Sequence, residues 1–167
     1  MMGMFKLLRG ALVGVAVMLA HPVVAEDDFG FSDQQTKRTV DTFTYGVEQC
    51  ATVDVVFRID CLRQTYSQTV RVISKASVYW EAEVALTRVN RGLYSYVRAN
   101  TDDNISRVRV NGGRIKALTD ASIPQATALY FDAVDKAAAV MRGGSPSETR
   151  YFEPIAEAIL ASKALLQ

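Results

Sequence analysis

Two cysteines, Cys50 and Cys61, restrict the fold of this sequence more than any other feature, and they are the only cysteines among its 167 residues. In one continuous α-helix, residues eleven positions apart stand about 16 Å apart along the axis. A disulfide requires the two Cα atoms to lie within about 7 Å of each other. If the two thiols are oxidised, the chain must turn between them. We therefore predict two helices fixed together at a turn by a Cys50–Cys61 disulfide, and two buried free thiols are the alternative.

The first 25 residues have the three-part pattern of a cleavable secretory signal. Lys6 and Arg9 precede an uncharged apolar run at 10–20, and small residues precede the acidic stretch that starts at Glu26. The apolar run is shorter than the roughly 20 residues that a membrane-spanning helix needs. We therefore predict a periplasmic or secreted protein, with a signal peptide at 1–25, one domain at 26–167 and no transmembrane segment in the mature form. Such an oxidising compartment favours the disulfide.

Removal of this signal would also exclude several kinds of catalytic and metal-binding site. His21 is the only histidine, and it would leave with residues 1–25, while the net charge would change from +1 to −1. Without histidine, the mature chain cannot form a Ser-His-Asp or Cys-His pair, and a zinc site would lack its usual nitrogen ligand. We predict no catalytic residues, no metal ligands and no cofactor. The nearly neutral charge gives no general attraction to nucleic acid.

Apolar residues recur at intervals of three and four along most of the chain, which is typical of amphipathic helices. A first helix should begin near Ser32 or Asp33, after a loose lead-in at 26–31, and end near Cys50. The second stripe runs from Val55 to Ile73. The third stripe runs from Tyr79 to Val97, in a separate helix or in a bent continuation of the second.

Two further helices are indicated by their boundary residues. Pro124 suits the first turn of a helix with Leu129, Ala133, Ala137 and Val140 facing inward, and Gly143-Gly144 should end it. Ser145 and Glu148 have the spacing of a capping box, and the last helix should run toward Leu166, kinked or restarted at Pro154. The sequence thus predicts a mainly α fold, a bundle of four to five helices.

Residues 106–118 break the helical pattern. Val108 and Val110 alternate with arginines, and Asn111-Gly112-Gly113 follows them. Asparagine and glycine adopt the positive φ angles that tight hairpin turns require. We predict a small β-hairpin at about 106–118, and an irregular loop that ends in one helical turn is the alternative.

A local excess of positive charge is the most informative functional feature. The segment between Leu86 and Ala117 holds seven bases and only two acids, Asp102 and Asp103. The bases are Arg88, Arg91, Arg98, Arg107, Arg109, Arg114 and Lys116. Guanidinium groups bind carboxylates and phosphates through paired hydrogen bonds. These seven residues are therefore candidates for binding an anionic partner, and the alternative is a solvated surface whose arginines pair with acids of neighbouring helices.

The segment Cys61-Leu62-Arg63-Gln64-Thr65-Tyr66, with Cys50 before it, resembles the cysteine-containing helical segment of the small secreted lysozyme-inhibitor family typified by LprI. The shared features are a cysteine, a short spacer, then Cys-Leu and a tyrosine a few residues later. The resemblance covers about twenty residues. It implies a non-enzymatic, protein-binding role and assigns no contact residues.

We therefore expect a non-catalytic periplasmic or secreted binding protein that docks an anionic envelope component, or another periplasmic protein, through residues 86–117. A specific version is inhibition of a cell-wall lytic enzyme, with the basic hairpin as a wedge. One alternative is an envelope enzyme that uses carboxylates such as Glu153 and Glu157. Another is a structural subunit of an envelope complex with an exposed apolar patch around Tyr79 and Trp80.

Overall fold

The computed structural model describes residues 30–167, so the predicted signal at 1–25 lies outside the described residues. The fold is mainly α, as predicted, with five helices and one two-stranded β-hairpin. The helices are α1 (Asp33–Ala51), α2 (Val55–Ile73), α3 (Trp80–Asn100), α4 (Ile123–Arg142) and α5 (Pro146–Ala161). The strands are β1 (Val108–Val110) and β2 (Gly113–Ile115). Short 3₁₀ turns occupy Ser77–Tyr79, Asp120–Ser122 and Ser162–Leu166.

Each helix packs against the next one in the chain, and α5 closes the bundle by packing against α1. The helix boundaries follow from the capping residues. The Ser32 side chain accepts a hydrogen bond from the Gln35 N–H at the start of α1, and Ser145 and Glu148 form the predicted capping box at the start of α5. The helix α5 continues through Pro154 without a restart. No helix in the part of the chain described here is long and apolar enough to cross a membrane.

The disulfide between Cys50 and Cys61 is present, and it joins the end of α1 to the first half of α2. The two Cα atoms are 5.5 Å apart, because the chain turns at Thr52–Asp54 between the helices. Both sulfurs are buried. They form a small apolar cluster with Phe57, Ile115 and Ala117, so the hairpin packs directly over the disulfide.

A glycine allows α1 and α2 to approach closely beside this disulfide. A Cβ atom added at Gly46 would lie 2.6 Å from Oγ1 of Thr65 on α2. Thr65 cannot move away easily, since its hydroxyl donates a hydrogen bond to the Cys61 carbonyl at 3.1 Å and lies 3.6 Å from the Cys50 sulfur. The joint between α1 and α2 therefore combines a covalent bond with a close backbone approach.

The main core is rich in aromatic rings at one end of the bundle. Phe31 stacks on Tyr151 with ring centroids 5.2 Å apart and contacts Tyr79 and Phe152 edge-on. Phe31 is buried, so the prediction of a loose lead-in at 26–31 was wrong for this residue. Burial of its ring removes about 150–250 Å² of apolar surface from water, which outweighs the entropy of ordering one more residue.

Three further predictions are corrected or resolved. Val55 and Val140 were expected to face the core, but they are 46% and 39% exposed. Val55 is the first residue of α2, before the helix reaches its neighbours, and Val140 borders a groove between α3 and α4.

Tyr79 is fully buried, so of the two aromatic residues expected in an exposed patch only Trp80, which is 64% exposed, lies at the surface. The helices α2 and α3 are separate, because a 3₁₀ turn breaks the chain between them.

A chain of hydroxyl groups crosses the core between α2, α4 and the C-terminal turn. The phenol oxygens of Tyr66 and Tyr130 lie 3.4 Å apart, and the Tyr130 hydroxyl lies 2.5 Å from Oγ of Ser162. Burial raises the pKa of Tyr130 to about 12. Burial, together with the neighbouring Tyr130, raises the pKa of Tyr66 well above its ordinary value. Both phenols are therefore harder to ionise in the folded protein than in the unfolded chain.

We expect Gly46→Ala to destabilise the protein by about 1–3 kcal/mol, because the added methyl group overlaps Thr65. The matched control is Gly92→Ala in the middle of α3, where the nearest atom to the added Cβ is Leu129 Cδ2 at 4.0 Å. This control should be neutral or stabilising by up to about 1 kcal/mol, since alanine is the better helix former. Urea unfolding measures both values, and equal effects of the two substitutions would contradict the close approach of α1 and α2.

We expect stability to fall as the pH rises above about 10, the ordinary tyrosine pKa. The folded pKa values of Tyr66 and Tyr130 are raised, so the unfolded chain loses these protons first. The contribution of each neutral phenol to the free energy of unfolding is therefore complete below about pH 10. Above about pH 10, each tyrosine lowers the free energy of unfolding by up to about 1.4 kcal/mol per pH unit. Urea unfolding between pH 8 and 11 measures this slope. Tyr130→Phe should make the slope shallower, and an unchanged slope would contradict this origin.

Candidate basic cleft

Four of the seven predicted basic residues come together in one cleft of about 190 Å³ between α2, α3 and the hairpin. We call this site the basic cleft. It is lined by Asp60, Arg63, Tyr94, Val97, Arg98, Arg107, Arg114 and Lys116. Five of these eight side chains are cationic and only Asp60 is acidic. The predicted positive segment thus folds into a concave surface.

Each wall of the basic cleft comes from a different part of the chain. The helix α2 supplies Asp60 and Arg63, and the last two turns of α3 supply Tyr94 and Arg98. The hairpin segment supplies the third wall. It is a regular hairpin, as predicted, in which Val108 pairs with Ile115 and Arg109 with Arg114. The turn is formed by Asn111 and Gly112, which have φ angles of 47° and 76°.

The hairpin is held on α2 by side-chain amides. Gln64 Nε2 donates a hydrogen bond to the Arg114 carbonyl at 2.6 Å. The amides of Gln68 and Asn111 bond at 2.7 Å, and Gln68 Nε2 also donates to the Asn111 carbonyl at 3.1 Å. On its other face, Ile115 is buried over the disulfide. The hairpin, and with it the position of Arg114, is therefore fixed relative to α2.

A buried carboxylate forms the floor of the basic cleft. Asp60 is only 2% exposed. One of its oxygens accepts a short hydrogen bond from Nε of Arg63, and the other accepts a hydrogen bond from the Lys116 backbone N–H at 2.7 Å. These two bonds compensate for the burial of the charge. Asp60 therefore orients Arg63 and anchors the end of the hairpin on α2.

Arg63 is further oriented by an aromatic ring. Its guanidinium carbon lies 5.9 Å from the centroid of the Tyr94 ring, within the range of a cation–π interaction. The Tyr94 ring itself is 52% exposed. The basic cleft therefore presents an accessible aromatic face next to a guanidinium group.

The other cations of the basic cleft have no counter-ion in the part of the chain that the structure describes. Within residues 30–167, no carboxylate lies within 4.0 Å of the charged groups of Arg98, Arg107, Arg114 or Lys116. The same holds, over the same described range, for Arg88, Arg91 and Arg109. The alternative in which these arginines pair with acids of neighbouring helices is therefore not what this part of the chain forms.

Three of the seven candidates lie outside the basic cleft. Arg88 borders the groove between α3 and α4, near Asp132 and Val140. Arg109 borders a shallow depression beside the turn at Thr52–Asp54, although it is the cross-strand partner of Arg114. Arg91 is exposed on α3 and lines neither of these surfaces. The three arginines of α3 therefore do not lie at one site.

A second groove, lined mostly by uncharged polar residues, adjoins the basic cleft and shares Arg63 with it. We call it the amide groove; its volume is about 480 Å³. It is lined by Arg63, Gln64, Ser67, Gln68, Arg71, Asn111, Gly112 and Gly113. Because both sites use Arg63, they form one continuous polar surface along α2 and the hairpin.

The sequence reasoning missed Asp60 and Arg63, which lie outside the segment that was considered for binding. Their signal was the spacing of three residues on α2, which places an acid and a base side by side on a helix. That spacing predicts a pair but not its burial. Burial follows from the hairpin, which crosses α2 about fifty residues later in the chain.

The carboxylates considered for catalysis lie on the surface. Glu153 forms two hydrogen bonds with Arg142 through Nε at 2.9 Å and Nη2 at 2.6 Å, and these bonds lower the pKa of Glu153. Glu157 is exposed, and Asp135 pairs with Lys163 at 2.9 Å. Over the described range, no group of three or more His, Cys, Asp or Glu side chains is arranged to hold a metal ion.

Comparisons of this chain with models of known protein families, with curated proteins and with solved structures gave no match. The resemblance of the Cys50–Tyr66 segment to the LprI-type inhibitors therefore remains a prediction.

We expect Asp60→Asn to destabilise the protein by about 2–4 kcal/mol, because Arg63 and the Lys116 N–H lose a buried, charged acceptor. The matched control is Asp132→Asn, whose carboxylate is 62% exposed and pairs with Lys136. This control should change stability by less than about 0.5 kcal/mol. Urea unfolding measures the free energy of unfolding of both variants. In Asp60→Asn, the backbone amide of Lys116 should also exchange its hydrogen faster. Equal stabilities of the two variants would show that Asp60 does not anchor the hairpin.

Proposed function

We propose that this protein is a non-catalytic, exported binding protein that holds an anionic partner in the basic cleft. One observation carries the proposal. Arg98, Arg107, Arg114 and Lys116 converge on a single concave surface, and none of them has a carboxylate partner among residues 30–167.

The electrostatics of such a surface favour an anion. Like charges that share a cleft repel one another, and the repulsion falls when an external anion enters. A guanidinium group also presents its N–H donors in a planar fork that matches the two oxygens of a carboxylate or phosphate. In addition, a cleft lined by one sign of charge concentrates oppositely charged ligands and raises their association rate.

The basic cleft is better suited to this role than the tip of the hairpin. A wedge that enters the active site of another protein must project from the surface. Here Asn111, at the turn, is hydrogen bonded to Gln68 on α2, and the strand after the turn is bonded to Gln64. The hairpin therefore serves as a wall of the cleft. This arrangement supports binding of a partner between the hairpin and α3 rather than insertion of the hairpin.

The proposed absence of catalysis has its own support. Glu153 and Asp135 lie at the surface and pair with Arg142 and Lys163, an arrangement that suits ion pairing more than proton transfer. In the basic cleft, both oxygens of Asp60 already accept hydrogen bonds from the protein. The export part of the proposal rests on the signal pattern at 1–25 and on the disulfide, a bond that persists in oxidising compartments.

The test compares two double charge reversals that change the net charge equally. Arg98→Glu with Arg114→Glu alters the basic cleft, whereas Arg88→Glu with Arg91→Glu alters exposed positions on α3 outside it. The probes are inorganic tripolyphosphate and trigalacturonate, measured by isothermal titration calorimetry at low ionic strength. Each charged hydrogen bond contributes about 1.5–3 kcal/mol, so the cleft variant should bind at least one probe about 100-fold more weakly.

The control variant should retain most of the affinity, with a small loss from the change in overall charge that added salt abolishes. Equal losses in the two variants would mean that only net charge matters, and the basic cleft would not be the site. Failure of the unaltered protein to bind any anionic probe would also overturn the proposal.

A further inference from the structure

We propose that the partner is an acidic saccharide, whose carboxylate or other acidic group enters the basic cleft while its hydroxyl groups lie in the amide groove. This inference rests on the proposed function and goes further by naming the chemical class of the ligand. Its basis is the juxtaposition of two chemically different sites that share Arg63.

The amide groove offers hydrogen-bonding groups of the kind that bind sugar hydroxyls. Gln64 uses its amide nitrogen to hold the Arg114 carbonyl, which leaves its Oε1 as an acceptor. Asn111 uses its amide nitrogen to bond Gln68, which leaves its Oδ1 as an acceptor. The Ser67 hydroxyl makes no hydrogen bond within residues 30–167. A hydroxyl both donates and accepts, so it can satisfy such a mixture of groups.

These groups are already ordered before a ligand arrives. The bonds from Gln64 and Gln68 to the hairpin fix both side chains. A long side chain loses about 0.5–1.5 kcal/mol of conformational entropy when a ligand immobilises it. That cost is largely absent here, because the fold itself has immobilised the amides.

The aromatic ring at the junction also suits a sugar. Tyr94 is half exposed, lies beside Arg63 and borders the basic cleft. Its ring can pack against the apolar C–H face of a pyranose, while the neighbouring guanidinium binds the acidic substituent.

Two other anionic classes fit less well. An acidic peptide would need places for apolar side chains, but among residues 30–167 only one aliphatic residue, Val97, lines either site. A polyphosphate at neutral pH only accepts hydrogen bonds, so it offers no donor to the acceptors Gln64 Oε1 and Asn111 Oδ1 of the amide groove, whereas sugar hydroxyls do. The volume of about 480 Å³ falls in the range of small-molecule sites.

The test uses calorimetry with four probes: trigalacturonate, its neutral methyl ester, inorganic tripolyphosphate and hexaglutamate. The unaltered protein should bind trigalacturonate more tightly than the other three. Ser67→Tyr fills the amide groove without changing charge, and Ser95→Tyr places the same side chain at an exposed position on α3 outside both sites. Ser67→Tyr should weaken trigalacturonate binding by about tenfold or more, because the phenol occupies the space of the sugar hydroxyls. Ser95→Tyr should not weaken it.

Backbone amide shifts in the unaltered protein provide a measurement that does not depend on a variant's folding. Addition of trigalacturonate should shift the resonances of Ser67, Gln68 and Asn111 together with those of Arg98 and Arg114. Shifts confined to the basic cleft, or unchanged saccharide affinity in a folded Ser67→Tyr variant, would overturn the saccharide inference.

The remaining outcomes separate this inference from the proposed function. Equal or tighter binding of tripolyphosphate or hexaglutamate would reject the saccharide and retain an anion-binding cleft. Binding of the neutral ester as tightly as of the acid would reject the saccharide inference, since the acidic group would then play no part, and the proposed function would be decided by the charge-reversal variants. Absence of binding to every charged probe would reject both proposals.

Discussion

The disulfide between Cys50 and Cys61 is the constraint on which the rest of this structure depends. It fixes α2 against α1 close to Gly46, which lets the two helices pack closely against each other. The same two sulfurs form the floor on which Ile115 and Ala117 of the hairpin segment pack. In the chain-entropy description, closing this short loop stabilises the fold by about 3 kcal/mol. One covalent bond therefore supports both the bundle and the wall of the basic cleft.

The helix α2 connects this core to the surface because its two faces carry different residues. One face carries Leu62, Tyr66 and Thr69, which are buried in the bundle. The other carries Asp60, Gln64 and Gln68, which bond to the hairpin. Buried polar groups without hydrogen-bond partners are costly. A segment that is distant in the sequence, such as the hairpin, can therefore cover a polar helix face only if that face offers hydrogen-bond donors and acceptors to the segment's own polar groups. The amides and the carboxylate of α2 meet this requirement, and the clefts lie at the edges of the covered face.

The helices, the hairpin and the disulfide could be predicted from sequence because their signals are local. The spacing of Phe43 and Val47, the Asn111-Gly112 pair and the capping box at Ser145 each act within a few residues. The site was predicted only in part. Arg98, Arg107, Arg114 and Lys116 meet in the basic cleft, but Arg88, Arg91 and Arg109 do not, because charge counting along the chain ignores which way each side chain points. Asp60 and Arg63 belong to the site through contacts about fifty residues distant in sequence, and no local pattern encodes those contacts.

The charge of the basic cleft has a consequence for stability. Arg98, Arg107, Arg114 and Lys116 share a confined surface without internal counter-ions among the described residues, so their mutual repulsion acts against the folded state. Natural proteins tolerate such unfavourable sites where function requires them and compensate with stability elsewhere. Here the stabilising features are the hydrogen bonds of the buried Asp60, the disulfide under the hairpin and the close packing of α1 on α2. An anion that binds only the folded form would relieve the repulsion, and it would stabilise the fold by an amount that grows with the logarithm of its concentration divided by its dissociation constant.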